Sequence, residues 1–139
     1  AAREMDLALA IARAVHDVDP NLALVGLANS ALIAAGRRLA LRVAAEAFVD
    51  RRYEADGSLT PRDHPDTLID DLEDAVRQVL ALLRTGLLMT RTGQRVALSP
   101  DTFCVHGDSP GALALVRTLR ERLAADGIAV HPLTTPATL

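Results

Sequence analysis

The residue types and spacing that could do chemistry concentrate in Thr102–Gly111, which reads Thr-Phe-Cys-Val-His-Gly-Asp-Ser-Pro-Gly. Alternation along a strand puts Thr102, Cys104 and His106 on one face and Phe103 and Val105 on the other. His106 falls at the C-terminal end of that strand, where α/β sheets place their ligand sites. Asp108 follows in the turn, Ser109 suits a helix N-cap, and Pro110 suits the first helical position. Orphan N–H groups at such a helix start face whatever binds there. The same residues also read as a capped strand–turn–helix junction, and spacing alone leaves both readings open. Cys104 and His106 could be paired as nucleophile and base, but neighbours on one strand face rarely meet at hydrogen-bond geometry. A mid-strand Cys is more often a small packing residue. His106 with Asp108 could contribute to a metal site, although His16, His64 and His131 show no ligand spacing to complete it.

Glu46 forms a second focus. It lies near the end of an apolar run, on the face it shares with Phe48, and a carboxylate there needs a partner or a shifted pKa. It reads either as a structural ion pair with Arg51 or Arg62 or as a substrate or catalytic group. Asp50, Arg51, Tyr53 and Arg62 follow within a few residues and could converge over the same strand ends. Arg in this setting suits bidentate capture of a carboxylate or phosphate.

The elements that must hold these groups follow from periodicity and punctuation. Leu7, Ala10, Ile11, Ala14 and Val15 recur at three- and four-residue steps, predicting a helix over 3–17. Asp19-Pro20-Asn21 breaks it. Leu22–Gly26 is an apolar strand, 28–39 a helix starting near Asn29 or Ser30 and weakened at Gly36, and Leu41–Phe48 a second strand. Residues 49–70 form a polar segment rich in Asp, Arg, Gly and Pro, longer than a compact domain usually tolerates without a functional reason. Tyr53, the sole tyrosine, falls in this loop and outside any core element. Asp70–Asp74 places acids at a helix N-terminus, and that helix runs to about Arg84 with Gly86 as its stop. A small hairpin over 87–89 and 95–98, the main strand at 102–106, a helix to Ala125 and a last strand over Ile128–Val130 complete the chain. The tail 131–139, with two prolines, is expected to fray. Alternating strands and helices predict a parallel sheet with crossover helices. No repeat or boundary divides residues 1–139, so a single domain is expected.

Composition narrows the function classes. Half of the 139 residues are hydrophobic and only 2% are aromatic, so the core must be Ala, Leu, Val and Ile. The net charge of −3 and three aromatics give no footprint or stacking platform for nucleic acid. No apolar run approaches the roughly 18 residues of a membrane span. A single cysteine excludes an internal disulfide and fits a cytoplasmic setting. The opening Ala-Ala-Arg-Glu-Met-Asp has no signal-peptide layout and reads as a segment of something longer.

Three segments together resemble the LamB/YcsF family, to which the A subunit of bacterial 5-oxoprolinase belongs. Cys104-Val105-His106-Gly107-Asp108-Ser109-Pro110-Gly111-Ala112 is similar to that family's last strand–turn–helix. Glu46-Ala47-Phe48-Val49-Asp50-Arg51-Arg52-Tyr53 and Asp56-Gly57-Ser58-Leu59-Thr60-Pro61-Arg62 resemble its Glu-Val-Phe-Ala-Asp-Arg-x-Tyr and Asp-Gly-x-Leu-Val-Pro-Arg segments. Val25-Gly26-Leu27-Ala28-Asn29-Ser30 resembles its Gly-Leu-Ala-Gly-Ser turn, with Asn29 where the family has Gly, and His64–Ile69 departs from its small-residue run. The resemblance implies a seven-stranded β/α barrel of the glycoside hydrolase/deacetylase type, of which this chain would supply the later strands. The family's N-terminal Asn-x-Asp-x-Gly-Glu strand and its histidine-containing segments have no counterpart here, so the isolated chain is expected to be inactive alone.

The resemblance further implies an enzyme that opens the lactam of 5-oxoproline to glutamate at the expense of ATP, together with the B and C subunits of 5-oxoprolinase. A divalent metal, Mg, would accompany the nucleotide. Glu46, Asp50, His106 and Asp108 become candidate catalytic groups. Arg51, Tyr53, Arg62, Gly107 and Ser109 become candidates for holding substrate or phosphate. Two alternatives stand beside it: a non-catalytic assembly module of the same fold, and a metal-dependent amide hydrolase of other specificity. A partial barrel would leave the strand at Leu22–Gly26 with an unpaired edge, and self-association is expected from it.

Overall fold

In a computed structural model that describes residues 2–107 and 111–133, strands and helices alternate through most of the chain. Helix α1 (Met5–Val18) leads to strand β1 (Ala23–Leu27), helix α2 (Ala31–Arg38) and strand β2 (Arg42–Phe48). The long segment after β2 ends at helix α3 (Leu72–Thr85). A hairpin of β3 (Leu87–Met89) and β4 (Arg95–Ala97), strand β5 (Thr102–Cys104) and helix α4 (Ala112–Ala125) follow. β1, β2 and β5 form a parallel sheet in the order β1-β2-β5, and β3 pairs with β4 antiparallel. The chain is thus an α/β structure of parallel strand–helix units. Among the described residues the outer edges of β1 and β5 carry no further strand.

Register assigns the faces. Leu24, Gly26, Val43, Ala45, Ala47 and Phe103 share one face. Leu24 and Val43 pack with Ala8 and Ala12 of α1 and Ala35 of α2, while Ala45 and Ala47 pack with Leu82 and Leu88. Gly36 permits the close approach of α2. A Cβ there would stand 2.6 Å from Val43 Cγ1 and 2.9 Å from Leu24 Cδ2. The other face carries Val25, Ala44, Glu46, Phe48, Thr102 and Cys104. Val25 is 41% exposed on it, and Glu46, Phe48, Thr102 and Cys104 are half-buried.

Local chemistry sets the helix ends. Asn29 adopts a left-handed φ of 62°, which holds Ala28 and Asn29 in a turn, and α2 starts only after the Ser30 cap. Asp71 accepts the Asp74 N–H at 2.8 Å at the start of α3, and Gly86 closes that helix at φ 70°. α4 begins at Ala112 with Gly111 in the N-cap position, two residues later than the Ser-Pro pair predicts. Ser109 and Pro110 themselves lie outside the described residues.

The last predicted strand is a correction. Residues 128–130 are irregular because the Ile128 N–H donates to Leu123 O at 2.8 Å and Gly127 N–H to Ala124 O at 3.0 Å. That pair of bonds is a Schellman closure of α4, with Gly127 at φ 74°. Ile128 packs on the α3–α4 core instead of joining the sheet. The tail expected to fray is described only to residue 133.

The segment after β2 is braced, not loose. Isolated bridges join Arg51 to Leu68 and Tyr53 to Leu59. The Arg91 guanidinium grips Glu54 through Nε and Nη2 at 3.0 and 3.3 Å, tying the segment to the hairpin.

Candidate active site

The sheet's C-terminal end gathers the candidate groups. β2 carries Glu46 and Phe48 on one face, and the chain continues past the strand to Asp50. The Val49 N–H donates to Cys104 O at 3.0 Å, extending the β2–β5 pairing by one bond beyond the last strand residues. This bond brings the exit of β2 beside the exit of β5. Asp50, only 7% exposed, then places Oδ1 3.3 Å from His106 Nδ1. The imidazole lies over the Phe48 ring, with centroids 5.1 Å apart and planes inclined by 19°. A carboxylate can only accept, so this contact puts the imidazole proton on Nδ1 and leaves the Nε2 lone pair free to take a proton. The arrangement is that of a base held in one tautomer by an acid and in one plane by an aromatic ring.

A cavity of about 230 Å³ opens beside Asp50. Leu68, Ile69, Leu72 and Leu115 make its walls apolar, Asp70 stands at its rim, and Gly111 at the start of α4 closes one side. A larger groove of about 460 Å³, between the outer side of β5 and α4, is lined by Phe103, Val105, Leu119 and Leu133 and lies apart from the Asp50–His106 contact. Of the candidate residues, Asp50 lines the smaller cavity.

Cys104 stands next to the pair without sharing its role. Burial, then the nearby charges of Glu46 and Asp50, push its thiol up, which keeps it protonated and poorly nucleophilic. The packing reading of this cysteine fits that environment.

Two residues expected at the ligand turn inward. Arg51 is 4% exposed. Its Nη2 donates to Thr60 O at 2.6 Å and to Thr67 Oγ1 at 3.0 Å, and its Nε to Thr67 O at 3.3 Å. Burial and, second, repulsion from Arg62 lower its pKa. Nη2 and Nε are thus taken by the loop, which gives Arg51 a structural role in the segment where a substrate-binding one was expected. Tyr53 is likewise fully buried, packed in a core with Ala47, Leu82 and Leu88. Its hydroxyl accepts the Phe48 N–H at 2.7 Å. Burial is the main cause that pushes its pKa up to about 12. The expectation of a tyrosine outside the core fails because the loop folds back onto β2.

The remaining candidates divide clearly. Glu46 makes no ion pair among the described residues, so the predicted pairing with Arg51 or Arg62 is absent there. Arg62 is exposed, and Gly107 is exposed just beyond His106. Asp108 and Ser109 lie outside the described residues. Sequence reasoning missed Phe48 as a platform and Gln78 as a contact. Gln78 Nε2 lies 3.1 Å from Arg51 O and 3.3 Å from Val49 O. The one signal for Gln78 was its place on the apolar stripe of α3, three residues after Ala75 and four before Leu82.

Known proteins share this sequence and this fold. The LamB/YcsF family model matches residues 1–138. The 5-oxoprolinase A subunit of Bordetella pertussis is 54% identical over 131 residues, covering 94% of this chain and 52% of that protein. The corresponding A subunit of Geobacillus kaustophilus is 49% identical over 131 residues, covering 94% of this chain and 51% of its own. The crystal structure of a lactam utilization protein from Thermus thermophilus superposes with a TM-score of 0.83 at 38% identity, over 94% of this chain and 51% of that one. The chain therefore spans about half the length of the relatives it matches.

Proposed function

Because the chain belongs to the LamB/YcsF family, we propose that it supplies one wall of the active site of an ATP-dependent 5-oxoprolinase. In this reading it belongs to the A subunit, works with the B and C subunits, and opens the lactam of 5-oxo-L-proline to L-glutamate. The observation that carries the reading is the Asp50–His106 contact, built at the C-terminal end of a parallel sheet beside an apolar cavity.

A lactam is a poor electrophile, and water needs help to attack it. His106, held by Asp50 in the Nδ1–H tautomer, takes a proton from the attacking water at Nε2. Phe48 excludes solvent from one side of the ring and keeps its plane fixed. Glu46, half-buried on the same sheet face, orients water or the ring nitrogen. Arg62, whose guanidinium is exposed, is the residue free to meet the substrate carboxylate. Phosphorylation of the lactam oxygen by ATP, as the family implies, would make the ring carbon electrophilic toward water. The C–N bond then breaks as the ring nitrogen takes a proton, and a second water hydrolyses the resulting acyl phosphate to glutamate and phosphate. The Gly107–Gly111 turn expected to cradle an anion runs through positions outside the described residues, and among the described residues no three His, Cys, Asp or Glu side chains gather as metal ligands. No phosphoryl or metal step is therefore assigned to them. No helix of the described residues is long and apolar enough to cross a membrane.

The test is ATP-dependent glutamate release from 5-oxoproline by the protein assembled with its partner subunits. Asp50→Asn and His106→Ala are each expected to lower turnover by about 10²–10⁴-fold, the range of a positioned base. Normal turnover in a folded His106→Ala variant refutes the assignment.

A second reading, an assembly module without chemistry of its own, is favoured by the sheet edges at β1 and β5, outside which the described residues place no further strand. It predicts normal assembly and normal turnover in both variants.

A further inference from the structure

We propose that Gln78 of α3 is a positioning residue for Asp50 and, through it, for His106. The inference rests on the reading of the Asp50–His106 pair given above. β2 ends at Phe48, so the carbonyls beyond it have lost the regular ladder that would fix them. Gln78 takes that place. Its Nε2 faces Arg51 O at 3.1 Å, Val49 O at 3.3 Å and, more loosely, Phe48 O at 3.5 Å. These three carbonyls bracket Asp50 on both sides.

The rest of the segment is held from other directions. The Phe48 N–H donates to Tyr53 Oη, the Val49 N–H to Cys104 O, and Asp50 O accepts the Ile69 N–H at 3.0 Å. Among the described residues, Gln78 alone ties these residues to a helix by hydrogen bonds, beside the packing of Val49 in one apolar cluster with Val76 and Val79 of the same helix. That helix is a stiff support. It is capped by Asp71 and Gly86 and anchored by buried Ala75, Val79 and Leu82. Because the Asp50–His106 contact at 3.3 Å is already at the long end of a hydrogen bond, a displacement of a few tenths of an ångström breaks it. Misplacement of that order costs far more in rate than in substrate binding.

The test compares Gln78→Met, similar in length but without a donor, with Gln78→Lys, which keeps one. The readouts are kcat and KM of the protein assembled with its partner subunits, and the ring-nitrogen NMR shifts of His106 at one fixed pH. Gln78→Met is expected to lower kcat about tenfold or more with KM within about twofold. It should also move the His106 shifts toward those of Asp50→Asn, as the Nδ1–H tautomer loses its acceptor. Gln78→Lys is expected to recover most of both. Ile33→Val, a core change in α2, serves as a control for lost stability and should leave both readouts unchanged. Should Gln78→Met not fold, Gln78→Asn, which retracts the amide by one methylene, replaces it.

Unchanged kcat and unchanged His106 shifts in Gln78→Met overturn the proposal, and so does equal damage in the Met and Lys variants. If Asp50→Asn itself turns over normally, the functional reading has failed, and the NMR comparison still decides whether Gln78 sets the Asp50–His106 geometry.

Discussion

Replacing Tyr53 with Phe should change stability in a way that depends on pH and can be isolated cleanly. In the folded protein burial raises the Tyr53 pKa from 10.0 to about 12. Between those values the unfolded chain ionises its phenol while the folded chain keeps it neutral. The stabilisation is fully present below pH 10 and is lost as pH rises toward 12. Two pKa steps at 1.36 kcal/mol each amount to roughly 3 kcal/mol. The sequence makes the window unusually clear, since it has one tyrosine and all its basic residues are Arg. Cys104, whose thiol is pushed up, and Arg51, whose pKa burial lowers, also titrate toward this window, and a Cys104→Ala background removes the first.

At neutral pH the same variant leaves the half-buried Phe48 N–H without its acceptor, which costs about 1–3 kcal/mol. Urea unfolding of the wild type and Tyr53→Phe from pH 8 to 11.5 measures both effects. The variant starts less stable, and the gap closes as pH rises because it lacks the alkaline loss. Absorbance titration of the sole tyrosine checks the premise: about 12 in native protein and near 10 in urea. A native titration at 10, or equal stability at pH 8, refutes the reasoning.

Gly36→Ala gains about 1 kcal/mol of helix propensity but drives a methyl into Val43 and Leu24 at 2.6 and 2.9 Å. Overpacking of about 1–3 kcal/mol should win, with a smaller loss in a Val43→Ala background, and denaturant midpoints read both. Cys104→Ala should leave turnover of the assembled protein within about twofold, because its thiol is kept protonated; a loss above tenfold would return it to the mechanism. The sheet edges at β1 and β5, outside which the described residues place no further strand, should make the isolated chain self-associate, giving concentration-dependent elution in size-exclusion chromatography. A stable monomer at high concentration contradicts this.

Local pattern carried much of the fold. Apolar spacing and helix-breaking or capping residues located every helix, Asp70–Asp74 and Gly86 marked the ends of α3, and the hairpin over 87–89 and 95–98 was legible as two short runs. These features depend on neighbours within a few residues, so the sequence reports them directly. The same holds for the family, which is legible in contiguous segments such as Glu46–Tyr53. Where strand-like composition competed with a helix cap, the cap won. Ile128–Val130 had the composition of a strand, but the Leu123 carbonyl captured the Ile128 N–H and closed the helix.

The site divides along the same line. Sequence could name His106, Asp50 and Glu46 as chemistry-bearing residues near strand ends. It could not bring His106 to Asp50 across 56 positions, because that contact depends on β2 and β5 pairing in parallel. Nor could it show that Arg51 and Tyr53 point inward. An arginine and a tyrosine in a polar loop look available to a ligand until the loop folds back, and then buried carbonyls and the Phe48 N–H claim their polar atoms. Residue type determined what chemistry the chain can do, and the pairing of strands far apart in sequence decided which of those residues meet.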